Sequence, residues 1–200
     1  MGYPQRRLVL KPRRLSGGRG VWVIHRDADP FVGPFPPELS LDAMALAVQQ
    51  WDRDHLVGGL VVQEQLAGED ASVDVLADER TIVVAVTRTR MASLVALCVE
   101  GTVRPLAARE RSVVETIVGG LRWSSLANVQ LVTSPDGPAV YEINARAAGS
   151  IGISAYASVD VLATATTLAR RGTATELGSG VVQPTRFRRH WLDQCWPVDA

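Results

Sequence analysis

Glu142, Asn144 and Arg146 stand at every second position of YEINAR, and Gln130 lies a short turn upstream in NVQLVTSPDGPAVYEINAR, residues 128–146. In an extended strand alternate side chains share a face. Pro135-Asp136-Gly137 suits a three-residue hairpin loop, a type I turn followed by glycine in the left-handed region. With Ser134 facing Pro138, that register sets Gln130 opposite Glu142. Gln130, Glu142, Asn144 and Arg146 then share one face, and Val129, Leu131, Tyr141 and Ile143 go to a core face. A two-residue turn at Asp136-Gly137 would separate Gln130 from Glu142. The grouped residues offer oxygen donors, which suit Mg²⁺ or Mn²⁺. Magnesium takes few protein ligands and completes its shell with phosphate and water. Arg146 beside them suits a phosphoryl oxygen. Alone, a solvent-exposed polar face with an intrastrand salt bridge accounts for the pattern as well.

A second constellation lies near the start, in LVLKPRRLSGGRGVWVI, residues 8–24. Lys11 is the only lysine in the chain. It precedes Ser16, Gly17, Gly18, Arg19 and Gly20. Glycines allow close approach of backbone to a ligand, exposed backbone N–H groups suit phosphate oxygens, and lysine acts as a point charge for phosphate. The lysine precedes the glycines and no helix follows, which excludes a Walker loop and a dinucleotide fingerprint. Taken alone, the segment reads as a hairpin turn beside an exposed lysine.

The elements that must position these residues follow from periodicity. Arg7–Leu10 and Val21–His25 read as strands around the glycine loop. Residues 26–40 are loop, with Asp29-Pro30, Gly33-Pro34 and Pro36-Pro37. Ser40 suits an N-cap for an amphipathic helix over 41–53, with Leu41, Met44, Ala45, Val48 and Trp51 on one face. Gly58-Gly59 breaks it. Strands are expected at Leu60–Gln65, Ser72–Leu76, Thr81–Thr87, Asn128–Thr133 and Ala139–Asn144, and Ala77-Asp78-Glu79-Arg80 reads as a turn. Within 91–108, Ser93–Glu100 fits strand or helix. Helices are expected at 108–122 and 158–171, the latter with Gly172 as C-cap. From Gly178 the chain reads as strand and loop. The fold class expected is α+β with mostly antiparallel strands.

Composition narrows the function classes. Among 200 residues, 21 acidic side chains balance 21 Lys and Arg, so no net field draws the chain to nucleic acid or anionic membrane. No apolar run approaches the roughly 18 residues of a membrane span, and MGYPQRRLVLKP lacks a signal peptide's apolar region. Cys98 and Cys195 are far apart and form no metal or redox motif, which reads as free thiols in a reducing cytoplasm. His25, His55 and His190 are scattered, and no Ser/His/Asp or Cys/His set is visible.

Read together, four segments resemble an ATP-grasp ligase in the family's order over residues 3–165. They are LVLKPRRLSGGRGV, VVQEQLAGEDASVDVLAD, the basic VTRTR, and NVQLVTSPDGPAVYEINAR followed by GSIGIS. The likeness leans to the carbamoyl-phosphate synthase-like and amino-acid ligase branches. It implies two α+β lobes with mostly antiparallel sheets that grip ATP between them, a small lobe over 1–66 and a large lobe over 67–200.

By that resemblance Lys11 matches the lysine on the α- and β-phosphates. Ser16, Gly17, Gly18, Arg19 and Gly20 match the loop that closes over them. Glu64, Gln65 and Leu66 match the hinge strand that reads adenine, and Asp70 the acid on the ribose hydroxyls. Glu142 and Asn144 match the magnesium ligands, Gln130 a nearby metal or phosphate contact, and Arg146 an arginine on the γ-phosphate or acyl phosphate. Arg88 and Arg90, on VTRTR, are further candidates for the phosphates or the carboxylate substrate. Ala145 departs from the family's usual proline.

The implied activity is Mg-ATP-dependent carboxylate–amine ligation through an acyl phosphate, which rests on positioning and charge neutralisation more than on a protein nucleophile. The partners implied are small-molecule carboxylate and amine substrates. The family carries a further N-terminal domain before the KP strand, and here MGYP stands in its place. That leads to the expectation of a partner chain supplying the domain, a homodimer, a regulatory remnant or a shortened start. The alternatives are a non-catalytic ATP-grasp module that binds nucleotide or a partner, and an α+β binding domain without nucleotide.

Overall fold

The computed structural model describes residues 7–13, 21–25, 38–53, 59–94, 97–171 and 181–190. The chain divides into two units, Met1–Ala67 with Leu94–Leu97, and Gly68–Ser93 with Cys98–Ala200.

The first unit holds β1 (Leu8–Pro12), β2 (Trp22–Ile24), β3 (Glu38–Leu39), α1 (Leu41–Arg53) and β4 (Leu60–Glu64). Its described strands run in the order β3-β2-β1-β4, with β2–β3 parallel and the other pairs antiparallel. Among its described residues, the buried apolar ones are Leu10, Val23, Ile24 and Leu39. Pairing of β1 with β4 continues at both ends, where Arg13 N donates to Gly59 O at 2.6 Å and Gln65 N to Arg7 O at 2.9 Å. Ser40 caps α1 as its sequence predicts: its Oγ accepts from Ala43 N at 3.2 Å.

The second unit begins with a hairpin of β5 (Glu69–Asp78) and β6 (Thr81–Thr89). Its turn residues Glu79 and Arg80 both take positive φ, 43° and 70°, which matches the twist of an antiparallel pair. Next come β7 (Ala92–Leu94), β8 (Leu97–Arg104), α2 (Ala108–Gly120), β9 (Ser125–Ser134) and β10 (Gly137–Asn144). A short 3-10 segment (Ile151–Ala157), α3 (Val161–Arg171) and β11 (Thr185–Arg188) follow. The strands form a sheet in the order β10-β9-β5-β6-β8-β11, with β7 paired to β8. The β5–β6, β5–β9, β9–β10, β6–β8 and β8–β11 pairs are antiparallel. Gly101 sits where β8 approaches β6, and a Cβ there would lie 2.0 Å from Thr89 O.

Strand β5 is buried on both faces. Ala71, Val73, Val75 and Ala77 pack with Val129 and Leu131 of β9 and Val114 and Val118 of α2. Leu76 turns to the other face, with Val84, Val86, Val103, Ile151 and the start of α3 at Val161. The same face carries Asp70, Ser72 and Asp74 further along, so it passes from apolar to polar along the strand.

A buried carboxylate ties α2 to the sheet. Glu110 is fully buried. Arg104 donates to both its oxygens at 2.8 Å, and Thr87 Oγ1 and Ala107 N each donate at 3.0 Å. Burial pushes this carboxyl up, but the bonds from Arg104, Ala107 and Thr87 outweigh it and hold it below the ordinary 4.5. Glu110→Gln is expected to cost about 3 kcal/mol at neutral pH. A depressed carboxylate stabilises above its unfolded value, and that contribution is lost as pH falls through the folded value. The gap between the two proteins should therefore narrow in acid; thermal unfolding across the acid range that gives a constant gap contradicts this.

Three segments of the second unit fold differently from the sequence reading, besides shifts at strand and helix ends. The described residues of segment 91–108 form β7, β8 and the start of α2. Residues 151–157 form a 3-10 turn; Ser158, with φ 66°, ends it, and Asp160 caps α3 through Ala163 N at 2.9 Å. Gly172 lies outside the described residues. The third difference is the β9–β10 hairpin. Ser134 pairs with Gly137 across a two-residue turn at Pro135-Asp136, and the register then shifts between Val140 and Glu142. The extra residue is Tyr141. Gln130 is opposite Glu142 as expected, but a bulge sets that register and not a three-residue loop.

Candidate functional site

The polar half of the second unit's sheet gathers residues from four strands. In register, Ser72 is beside Arg88 on one side and Gln130 on the other, and Asp74 is beside Asn128. Gln130 is beside Glu142, and Asn128 beside Asn144. Each expected polar residue of this unit from Asp70 to Asn144 therefore lies on or next to one face.

The inner part is closed to solvent. Asp74, Arg88 and Asn128 are at most 1% exposed. Arg88 Nε donates to Asp74 Oδ2 at 2.8 Å, and Nη2 lies 2.6 Å from the same oxygen. Arg88 Nη1 donates to Ser150 Oγ. Asn128 Nδ2 donates to Asp74 Oδ1 at 3.0 Å and to Ser72 Oγ at 2.6 Å. Burial pushes the Asp74 carboxyl up, while Arg88 and Asn128 pull it back. Arg88, expected at phosphate or substrate, is thus engaged inside the protein. Its charge is neutralised by a carboxylate four residues beyond Asp70.

The outer part is half-buried. Arg90 Nη1 donates to Gln130 Oε1 at 3.3 Å and to Tyr141 OH at 3.2 Å, and its Nε lies 3.5 Å from Asp70 Oδ2. Tyr141 OH donates to Asp70 Oδ1 at 2.9 Å. Burial raises the Asp70 carboxyl against the pull of Arg90 and the Tyr141 bond. Burial and the neighbouring Asp70 raise the Tyr141 phenol. Gln130 Nε2 faces Asn128 Oδ1 at 3.4 Å and joins the two parts. Tyr141, assigned to the core by strict alternation, is corrected to this polar cluster. At a bulge two residues oppose one on the partner strand, so both Tyr141 and Glu142 meet the Gln130 position.

Glu142 is exposed. Asn144 is half-buried, with a buried Nδ2 that has no hydrogen-bond partner. Arg146 is exposed, with Nη1 donating to Ala147 O at 3.0 Å. The unpartnered Asn144 Nδ2 is a hydrogen-bond donor, so it fits an acceptor on a ligand, such as a phosphate oxygen, while its amide oxygen and the exposed Glu142 carboxylate are the oxygen donors that suit a hard cation. Among the described residues no three His, Cys, Asp or Glu side chains gather for a metal. The oxygen donors of Glu142 and Asn144 fit a magnesium ion, which takes few protein ligands and completes its shell with phosphate and water.

In the first unit Lys11 pairs in register with Val61 on β4 and is half-buried. Glu64 ends β4 opposite Leu8. Gln65 follows through its backbone bond to Arg7, and Leu66 is 36% exposed. Ser16, Gly17, Gly18, Arg19 and Gly20 lie outside the described residues. Cys98 is a buried free thiol, and burial raises it despite nearby Arg90 and Arg88. Cys195 lies outside the described residues. Among them no single helix is long and apolar enough to cross a membrane.

Sequence reasoning missed Ser72, Asp74, Asn128, Tyr141 and Ser150. A signal for two of them was present: in EDASVDVLAD, Asp70, Ser72 and Asp74 alternate with Ala71, Val73 and Val75.

Two α+β units with mostly antiparallel sheets form an ATP-grasp fold. Solved structures share this fold. An L-amino acid ligase from Bacillus licheniformis matches with TM-score 0.51 and 18% identity over 86% of this chain and 40% of that one. The biotin carboxylase domain of Hydrogenobacter thermophilus 2-oxoglutarate carboxylase, a dimer in complex with MgADP, ADP and bicarbonate, matches with TM-score 0.53 and 15% identity over 80% and 35%. Rhizobium etli pyruvate carboxylase with acetyl coenzyme-A matches with TM-score 0.59 and 17% identity over 91% and 16%. The chain thus spans well under half of each neighbour. Residues 57–193 match the family described as ATP-grasp in the biosynthetic pathway with Ter operon, and the chain belongs to that family. No curated protein matches the sequence significantly.

Proposed function

We propose that the chain binds Mg-ATP and activates a carboxylate as an acyl phosphate for attack by an amine. Its substrates are a small-molecule carboxylate and an amine. The observation that carries this is the exposed Glu142 carboxylate beside Asn144, whose buried amide N–H group lacks an acceptor that a phosphate oxygen would supply. In the first step a carboxylate oxygen attacks the γ-phosphorus, the bond to the β-phosphate oxygen breaks, and ADP leaves. In the second the amine nitrogen attacks the acyl carbon, the phosphate leaves, and the nitrogen loses a proton. The Glu142 carboxylate and the Asn144 amide oxygen would hold magnesium, which would neutralise phosphate charge.

Lys11, Ser16, Gly17, Gly18, Arg19 and Gly20 are assigned to the phosphates of ATP in this account. Glu64, Gln65 and Leu66 take the adenine edge. Arg146 stabilises the transferring phosphoryl group. Asp70 is assigned to the ribose, with Tyr141 and Arg90 setting its orientation. Arg90 then has a second use, as a cation facing the carboxylate substrate. Gln130 accepts from Arg90, so its better role is to hold that arginine, with metal contact secondary.

Hydroxylamine traps acyl phosphates as hydroxamates. Hydroxamate formed from a panel of carboxylates, dependent on both ATP and Mg²⁺, is the expected result. Nucleotide binding without hydroxamate, with candidate partner chains present, supports a non-catalytic nucleotide-binding module instead. One observation favours that second reading: Glu142 is the single carboxylate among the three proposed metal contacts. Lys11→Ala should weaken ATP more than adenosine. Equal losses in a calorimetric comparison mean that Lys11 does not touch phosphate.

A further inference from the structure

The closed part of the polar face has no role in that scheme, although it holds an ion pair that is 0% and 1% exposed. Buried pairs of this kind add little to stability compared with apolar residues of similar volume. Leu76, Val84 and Val86 occupy the same face further along, so apolar residues are accommodated there. What distinguishes the pair is what it reaches.

Arg88 uses its three nitrogens in two directions. Nε and Nη2 face Asp74 Oδ2, and Nη1 donates to Ser150 Oγ. Asp74 Oδ1 in turn accepts from Asn128, which is the register partner of Asn144. One end of the stretch from Asn144 to Ser150 is therefore fixed by the sheet at Asn128. The other end is fixed by the guanidinium. Ser150 also starts the 3-10 turn, with Ile151 N donating to Ala148 O and Ile153 N to Ser150 O, both at 3.0 Å. Between the two anchors lie Ala145 and the exposed Arg146.

From this geometry, and resting on the Mg-ATP reading above, we infer that Arg88 and Asp74 are positioning residues. They clamp segment 145–150 and so hold Arg146 for the phosphates of the nucleotide. A lysine at position 88 would keep the charge and lose the fork that serves both anchors. Arg88 is thereby reassigned from a direct phosphate or substrate contact to an indirect role.

Ser150→Ala is the mildest cut, because it removes one acceptor and leaves the ion pair whole. Two readouts are taken. The first is hydrogen exchange of the nucleotide-free protein. Amides of 145–150 should exchange faster in Ser150→Ala, with β5, β6 and β9 unchanged, and Ser150→Thr should restore protection. The second is calorimetric affinity for a non-hydrolysable ATP analogue with Mg²⁺, compared with adenosine. Ser150→Ala should lose about fivefold or more for the analogue and nothing for adenosine. Added to Arg146→Ala, it should cost nothing further. Unchanged exchange at 145–150, or losses that add in full to those of Arg146→Ala, overturns the inference. A wild-type protein that binds no nucleotide refutes the proposed function separately, and the exchange readout then decides the clamp alone.

Discussion

Asp74→Ala should lower the unfolding free energy by about 3–5 kcal/mol, the cost of leaving a buried charge without its partner. Arg88 is 1% exposed, so water cannot replace the lost carboxylate. Ser150 offers one neutral hydroxyl, and Asn128 loses the acceptor that now lies 3.0 Å from its amide. Against a total of about 5–15 kcal/mol for a typical protein, this threatens the fold. Replacing both members, Asp74→Ala with Arg88→Met, removes the charge together with its partner. It should recover most of the loss, since apolar substitutes for a buried pair are often neutral or better. Urea unfolding of the single and double variants measures both effects. A single-variant loss below about 1 kcal/mol, the range of exposed ion pairs, contradicts a buried pair.

Glu142→Ala should behave in the opposite way. Glu142 is exposed, and substitutions at such positions usually change stability by no more than about 0.5 kcal/mol. If Glu142 holds the metal, affinity for the magnesium nucleotide should fall about ten- to hundredfold, the worth of one charge-assisted contact. Affinity for metal-free nucleotide should stay near its wild-type value. Calorimetry with the metal and with a chelator separates the two. A variant that keeps the wild-type dependence on magnesium removes Glu142 from the metal site. Together the two variants separate the two carboxylates: a loss of stability assigns Asp74 to the fold, and a loss of magnesium dependence assigns Glu142 to the ligand.

Much of this arrangement is legible in the sequence because it is local. Ser40 with the spacing of Met44, Ala45 and Val48 defines α1 to the residue. The alternation in YEINAR places Glu142 and Asn144 on one face. The hairpin between them and Gln130 is a more instructive case. Its turn holds one residue fewer than expected, and the bulge at Tyr141 restores the register. That bulge is tied to tertiary contacts, because the Tyr141 hydroxyl reaches Asp70 and Arg90 from another part of the sheet. No local pattern encodes such a partner.

The pairing of Asp74 with Arg88 was hidden for a related reason. The expected strand Thr81–Thr87 stopped one residue short of Arg88, and only the resemblance assigned that arginine to the phosphates or the substrate. In the structure β6 continues to Thr89. Ser72 then stands beside Arg88, and the guanidinium turns inward to Asp74. Charged residues in a strand read as solvent-facing when their cross-strand partner is unknown. Ser150 is equally illegible, since its partner lies 62 residues away.

The central claim is that the chain carries a magnesium-dependent nucleotide site. Calorimetric titration of the folded 200-residue chain with a non-hydrolysable ATP analogue, with Mg²⁺ and then with a chelator, tests it most directly. Saturable binding that weakens about tenfold or more without the metal is the result predicted by the Glu142–Asn144 site. Equal affinity in both conditions, or no binding by the folded chain, contradicts it.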